Sequence, residues 1–233
     1  MGSTHFALAF LAGLIPMLFW LWFWLREDKQ KPEPLILIIV TFLAGMMVVP
    51  VALPLQKLAI TLYDGQNVMF VWVVIEEILK YTAALLVIFW HRAVDEPIDY
   101  IIYMITIALG FAALENTLFM LDPLRDGDYI TVAVTGSFRF LGATLLHVLA
   151  SATVGVFLAF AFYKSATAKL LFSSLGLFLA IILHALFNFF IMDASGGGIL
   201  LIFLFVWMGI VVLFLLFEKI KLLEAAHLPL IRK

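Results

Sequence analysis

The sequence contains no cysteine, and only 13% of its 233 residues are charged. The lack of cysteine excludes disulfides, thiolate nucleophiles and cysteine-bound metals. Soluble domains have about a quarter of their residues charged and about half apolar, whereas this chain is 65% hydrophobic and has a mean hydropathy of +1.15. The scarcity of charge therefore excludes a cytosolic enzyme and a nucleic-acid-binding protein, and it indicates an integral membrane protein.

Long apolar runs occupy most of the chain and predict its fold. A run of ~20 apolar residues crosses a bilayer as a helix, and none of these runs has the period-2 alternation of a barrel strand. We expect an all-α, polytopic transmembrane helical bundle that forms a single integral membrane domain over residues 1–233. The runs predict seven spans, near residues 6–25, 35–61, 69–90, 98–121, 138–162, 168–192 and 198–217, followed by an amphipathic tail over 218–233.

Basic residues are distributed unevenly among the loops that connect these spans. One side of the membrane has Lys57 and Arg125, whereas the other has Arg26, Lys29, Lys31, Arg92, Lys164, Lys169, Lys219, Lys221, Arg232 and Lys233. Cytoplasmic loops of membrane proteins are enriched in lysine and arginine. We therefore expect the N-terminus outside the cell, and the C-terminus and its amphipathic tail in the cytoplasm.

Polar side chains also occur inside the predicted spans, where a charged group costs ~2.5–3.5 kcal/mol on insertion scales. They are Glu76, Glu77, Lys80, Glu115, Asn116, Arg139, His147, Ser151, His184 and Asn188. We interpret Arg139 as an anchor at the membrane interface. Asn116 and Ser151 have the weakest case for a functional role, because either could simply hydrogen-bond between helices.

Four of these residues lie at one predicted depth. Counting from the helix ends at ~1.5 Å per residue puts Glu76, Glu115, His147 and His184 about 10 Å below the outer surface. Residues four apart share a helix face. Three pairs have this spacing: Glu76 and Lys80, His147 and Ser151, and His184 and Asn188. The sequence therefore predicts one cluster in the outer half of the bilayer.

Carboxylates beside imidazoles suit hydrolysis. Paired carboxylates supply a base and an acid for activating water, and histidine and amide groups donate hydrogen bonds to a developing oxyanion. The alternative is a catalytic zinc site, for which Glu115, His147 and His184 are a plausible three-ligand set. Because the sequence lacks the His-Glu-x-x-His motif of many zinc proteases, we narrowly favour a glutamate mechanism without a cofactor.

The order of these motifs resembles the PrsW family of intramembrane proteases, which is related to CAAX-processing endopeptidases and their bacterial immunity-associated relatives. The resemblance rests on Glu76-Glu77-x-x-Lys80, Gly110-Phe111-x-x-x-Glu115-Asn116, Arg139, His147-x-x-x-Ser151-x-x-x-Gly155 and His184-x-x-x-Asn188. It implies a protease of the bacterial plasma membrane that cuts membrane-anchored proteins near the outer face. Its expected partner is a single-span membrane protein such as an anti-sigma factor, which would undergo a first, site-1-type cleavage.

The resemblance also implies roles for individual residues. Glu76 is expected to be the base that activates water, with Glu77 as its partner or as a carboxylate that pairs with Lys80. His184 and Asn188 are expected to donate hydrogen bonds to the substrate carbonyl or oxyanion, and His147 with Glu115 completes the water or metal site. Glu115 departs from the CAAX branch, in which the same motif ends in histidine, and this difference favours the PrsW family.

Two other functions fit the same cluster less well. A proton-coupled transporter also uses intramembrane Glu and His residues, but its polar path must reach both faces, and the cytoplasmic halves of these spans are almost entirely apolar. A non-catalytic membrane binding or immunity protein would retain its function when the carboxylates are neutralised.

Overall fold

A computed structural model describes residues 2–28, 31–194 and 196–231, which form helices and no β-strand. The helices are α1 (Gly2–Leu25), α2 (Leu35–Leu62), α3 (Gln66–Val87), α4 (Asp99–Arg125), α5 (Tyr129–Phe138), α6 (Thr144–Phe160), α7 (Ala166–Asp193) and α8 (Gly197–Ile231). A short π-helical segment, Arg139–Ala143, joins α5 to α6. The all-α prediction is confirmed. The side on which each terminus lies stays a prediction, and Lys29, Arg232 and Lys233, on which it partly rests, lie outside the described residues.

Six stretches of the described chain are long and apolar enough to cross a membrane: Thr4–Leu25, Leu35–Leu62, Asp99–Arg125, Tyr129–Phe160, Ala166–Met192 and Gly197–Ala226. The remaining predicted span, 69–90, corresponds to α3, which is 22 residues long but contains Glu76, Glu77 and Lys80. All three side chains are buried. Helix α3 thus keeps its charges inside the bundle, where other helices can supply partners.

Helix α4 forms the centre of the bundle. It packs against α1, α2 and α6, and every residue from Asp99 to Ala113 is buried. A helix that is apolar on all sides is expected to be enclosed by other helices. Glu115 lies just beyond this enclosed stretch, which puts its carboxylate where α4 begins to open toward α3 and α6.

Two glycines bring α2 and α4 into backbone contact. A Cβ atom on Gly110 would lie 2.0 Å from the carbonyl oxygen of Phe42, and one on Gly45 would lie 2.2 Å from that of Ile107. No side chain fits at either position, because real Cβ contacts are never so short. This contact fixes the height of Glu115 on α4 relative to α2.

The helix ends differ from the predicted spans in two places. The predicted fifth span, 138–162, is the end of a longer helical stretch that begins at Tyr129, where Asp128 caps α5 by accepting a hydrogen bond from Thr131 N–H at 3.0 Å. The predicted amphipathic tail continues α8 without a break at Glu218. Sequence hydropathy alone gave no signal for either end.

Candidate active site

The charged residues of α3 face the interior of the bundle. Lys80 is fully buried and donates to Oε1 of Glu77 at 2.7 Å. Its Nζ also lies 3.0 Å from Nδ1 of His147 and 4.2 Å from the ring centroid of Phe111. The lysine therefore pairs with Glu77, and Glu76 has no ion pair with a lysine or arginine among the described residues.

The neighbours of His147 define its tautomer. A charged lysine donates hydrogen bonds and accepts none, so Nδ1 of His147 accepts from Lys80. In the neutral ring the proton is then on Nε2, which lies 3.1 Å from Oε2 of Glu115 and donates to it. Both ring nitrogens of His147 are therefore occupied by hydrogen bonds.

His184 on α7 lies between the two glutamates of α3. Its Nδ1 lies 2.8 Å from Oε1 of Glu77, and its Nε2 lies 3.9 Å from Oε2 of Glu76. The rings of His147 and His184 are perpendicular, with centroids 4.9 Å apart. Since Nδ1–H of His184 donates to Glu77, its Nε2 in the neutral ring offers a lone pair on the side of Glu76.

One oxygen of Glu76 is held and the other is free. Gln56 on α2 donates to Oε1 at 2.9 Å, and the indole N–H of Trp72 donates to the backbone oxygen of Gln56 at 3.0 Å. Oε2 of Glu76 is buried and has no hydrogen-bond partner among the residues that the structure describes. The sequence analysis missed Gln56, although a primary amide inside a predicted span was a signal for it.

Arg139, expected to be an interfacial anchor, instead joins the cluster. Its guanidinium donates to Glu115 and to the side-chain oxygen of Asn116, and it lies 3.8 Å from the ring centroid of Phe119. Arg139 is the first residue of the π-helical segment, and such segments are mostly single turns inside α-helices that are frequent at functional sites. Asn116 also donates to the Thr144 hydroxyl at 3.3 Å, which makes it part of a contact between α4 and α6.

Two cavities meet at the cluster. The first, of about 480 Å³, lies among α2, α3 and α4 and includes Gln56 and Trp72 in its wall. The second, of about 390 Å³, is bordered by His147, His184 and Asn188. Both share Trp72, Glu76, Glu115 and Phe119, so the two carboxylates of Glu76 and Glu115 are at their junction.

Not every residue in the predicted site reaches these cavities. Glu77 and Lys80 are buried behind them and contact the cavity residues only through His184 and His147. Ser151, one turn from His147, is fully buried and borders neither cavity. Its hydroxyl has no hydrogen-bond partner among the described residues. The structure therefore brings together Glu76, Glu115, His147, His184 and Asn188 at the cavity surface.

The residues close enough to share a metal ion are Glu76, His147 and His184, which offer ligand atoms within 4.8 Å of one another. This set has Glu76 where the sequence analysis expected Glu115. Its atom types match a catalytic zinc site, and the contact of His184 with Glu77 matches the carboxylate that orients a metal-bound histidine. The hydrogen bonds of His147 do not fit, because Lys80 occupies Nδ1 as a donor and Glu115 accepts from Nε2. Neither ring nitrogen is therefore free to bind a metal while the other donates.

Comparisons with known proteins identify the family of the chain. Residues 33–217 match the model of the PrsW family, described as intramembrane metalloproteases. Protease PrsW of Clostridioides difficile is 27% identical over 206 residues, which cover 84% of each chain. Protease PrsW of Bacillus subtilis is 24% identical over 188 residues, covering 79% of this chain and 83% of the relative. No solved structure matches. The family match spans the whole cluster from Glu76 to Asn188, and the chain belongs to the PrsW family of intramembrane proteases.

Proposed function

We propose that this intramembrane protease hydrolyses single-span membrane proteins near the outer face of the membrane, with Glu76 as the base that activates water. The observation that carries the proposal is the free Oε2 of Glu76. It is buried, lacks a hydrogen-bond partner within the described part of the chain, and lies at the junction of two cavities. A carboxylate held through one oxygen and free at the other is arranged to accept a proton.

The nucleophilic water fits between Glu76 and His184. The 3.9 Å between Oε2 and Nε2 is too long for a direct hydrogen bond, but a water donating one proton to each atom bridges such a gap. The water's lone pairs then face the cavity and the substrate carbonyl carbon. In this role His184 binds the water, and Glu77 holds the histidine ring in the required tautomer through Nδ1.

Hydrolysis then proceeds in two proton transfers. Glu76 takes a proton as the water oxygen bonds to the carbonyl carbon, and the amide of Asn188, on the wall of the same cavity, donates a hydrogen bond to the resulting oxyanion. Glu76 returns the proton to the departing amine as the carbon–nitrogen bond breaks. Glu115 accepts from His147 and Arg139, so its carboxylate is already paired and Glu76 is left as the carboxylate that accepts the proton.

A divalent metal is the alternative catalyst at this position. Bound by Glu76, His147 and His184, it would supply Lewis-acid chemistry and lower the pKa of a bound water. It would also require Lys80 to give up its hydrogen bond to His147. We therefore propose glutamate-type hydrolysis, in which Lys80 and Glu115 keep both nitrogens of His147 engaged.

The cavity walls favour a membrane-embedded substrate. Apolar side chains of α7 and α8, among them Phe187, Ile191 and Phe203, form much of the second cavity. An apolar wall binds a transmembrane segment without the cost of burying polar groups. We propose that the substrate is a single-span protein such as an anti-sigma factor, whose cleavage would begin the release of a stress-response sigma factor.

Co-expression tests this proposal. The enzyme would be produced with tagged single-span membrane proteins, anti-sigma factors among them, and fragments detected by immunoblotting. We expect a fragment with the wild-type enzyme that disappears with Glu76→Gln and persists with Asp64→Asn, a matched change at an exposed residue. A fragment that persists with Glu76→Gln contradicts the assignment of the base.

Metal content decides between the two catalytic types. Elemental analysis of active purified enzyme should find no stoichiometric zinc, and phenanthroline should leave activity unchanged. About one zinc per chain, with activity lost on chelation and restored by zinc, would overturn the glutamate mechanism while leaving the protease assignment intact.

A further inference from the structure

Three carboxylates converge at the opposite end of α4 from the active site. Asp28 follows α1, Glu33 precedes α2, and Asp99 is the first residue of α4. Each offers an oxygen, and the three oxygens lie within 4.8 Å of one another. Asp99 and Glu115 are on the same helix, sixteen residues apart, so ~24 Å of helix separates this cluster from the active site.

The hydrogen bonds of these carboxylates leave one buried oxygen unsatisfied. Glu33 accepts from the hydroxyl of Tyr103, and Oδ2 of Asp99 accepts from the backbone N–H groups of Asp95 at 2.9 Å and Glu96 at 2.7 Å. Asp28 is only 5% exposed, yet its Oδ2 has no hydrogen-bond partner. A buried carboxylate oxygen needs a donor or a cation. The backbone N–H of Glu33 hydrogen-bonds the Asp28 carboxylate, but Oδ2 has neither a donor nor a cation among the described residues.

Nearby basic residues are engaged elsewhere. Lys31 pairs with Asp95 and Glu96, and Lys221 pairs with Glu27 at 3.1 Å and with Glu218. Within the described ranges 2–28, 31–194 and 196–231, no lysine or arginine forms an ion pair with the three carboxylates.

We propose that Asp28, Glu33 and Asp99 bind a hard divalent cation, Ca²⁺ or Mg²⁺. Such ions take oxygen ligands, chiefly carboxylates, and complete their coordination with water. A cavity of about 780 Å³ borders Asp28 and is lined by four glutamates and three basic residues, so water and ions have access to Asp28 from this side. The ion would tie the segment between α1 and α2 to the first turn of α4, the central helix of the bundle. The ligand atoms favour these ions over zinc, since the cluster contains no nitrogen or sulfur ligand.

Terbium luminescence tests this site directly. Tb³⁺ replaces Ca²⁺ at oxygen sites and is excited through a nearby aromatic ring, here Tyr103, whose hydroxyl contacts Glu33. Purified wild-type protein in detergent should give a saturable signal that Ca²⁺ or Mg²⁺ displaces. Asp28→Asn and Glu33→Gln should each weaken Tb³⁺ binding by about tenfold or more, because affinity follows the number of ligand charges.

Two control variants separate this site from its surroundings. Glu218→Gln alters an acidic residue of the bordering cavity that is outside the cluster, and Glu76→Gln alters the active site, so both should bind Tb³⁺ like the wild type. Loss of the signal in Glu76→Gln would assign the ion to the active site and overturn the proposal. So would a signal that is absent from the wild type or unchanged in Asp28→Asn and Glu33→Gln.

Thermal unfolding provides a second measurement that does not depend on luminescence. In EDTA, Asp28→Asn and Glu33→Gln should unfold at or above the wild-type temperature, because each change removes like-charge repulsion. Adding Ca²⁺ or Mg²⁺ should raise the unfolding temperature of the wild type and of Glu218→Gln only. An equal rise in all four proteins would contradict a site formed by these carboxylates.

Discussion

Nδ1 of His184 lies 2.8 Å from Oε1 of Glu77, and this contact directs the other ring nitrogen toward Oε2 of Glu76, 3.9 Å away. The two adjacent glutamates of α3 therefore have different tasks. Glu77 is buried among Lys80 and His184 and orients them, whereas Glu76 faces the cavities with a free oxygen. Successive residues on a helix point ~100° apart, which allows one dipeptide to supply both groups.

Neutralising the two glutamates should have different effects on stability. Glu77→Gln removes the anionic partner of the fully buried Lys80 and should lower the free energy of unfolding by about 3 kcal/mol or more. Glu76→Gln should leave stability near that of the wild type, because Glu76 has no ion pair with a lysine or arginine among the described residues. Thermal unfolding in detergent measures both.

Proteolysis is expected to stop in both variants. Glu76→Gln loses the base, and Glu77→Gln loses the group that orients His184. A folded Glu77→Gln protein that cleaves at the wild-type rate would show that the tautomer of His184 is unimportant. Equal destabilisation by the two changes would contradict the separate tasks of the two carboxylates.

Arg139 and Glu115 should be energetically coupled. Arg139→Met leaves the mostly buried Glu115 carboxylate without its cation and should destabilise the protein by about 3 kcal/mol. Adding Glu115→Gln should recover part of this loss, giving a coupling energy of about 1–3 kcal/mol in a double-mutant cycle. Strictly additive changes in the free energy of unfolding would mean that the ion pair contributes nothing.

The contact between α2 and α4 should not tolerate a methyl group. Gly110→Ala places a Cβ 2.0 Å from a backbone oxygen of α2, so the helices must separate at a cost of about 3 kcal/mol or more. Gly198→Ala is the matched control, because its Cβ would meet only the Ala194 side chain at 3.5 Å. The account requires a large loss of stability at Gly110 and a change within about 1 kcal/mol at Gly198.

Much of this architecture could be predicted from the sequence. Apolar runs predict the helical bundle, and the shared depth of Glu76, Glu115, His147 and His184 predicts a single cluster, which the structure brings together. Depth along a helix fixes only one coordinate, however. It does not specify which neighbour a side chain turns toward, so the pairing of Lys80 with Glu77, and of Glu115 with Arg139, required the packed helices.

Two features had little signal in the sequence. Arg139 begins a π-helical turn. Such a turn is a change of backbone hydrogen-bond register, and no residue pattern in the sequence predicts it. The cluster of Asp28, Glu33 and Asp99 joins residues from three chain segments. In the sequence, each of them resembles an ordinary acidic residue in or next to a loop. Gln56 was detectable, since an amide within an apolar span calls for a partner.

The orientation of the bundle is directly testable because the chain has no cysteine. Single cysteines replacing the exposed residues Asp64 and Asp126 should react with an impermeant maleimide in intact cells, and cysteines replacing Arg92 and Ala166 should react only after lysis. The reverse pattern would put the active site in the cytoplasmic half of the membrane.

The central claim is that the Glu76 site cuts membrane proteins, and mapping of new protein N-termini tests it most directly. Membranes from cells producing the wild-type enzyme would be compared with membranes from cells producing equal amounts of folded Glu76→Gln protein. We predict new N-termini at the outer ends of single-span membrane proteins with the wild type and none of them with Glu76→Gln. Identical sets of N-termini in the two membranes would contradict the account.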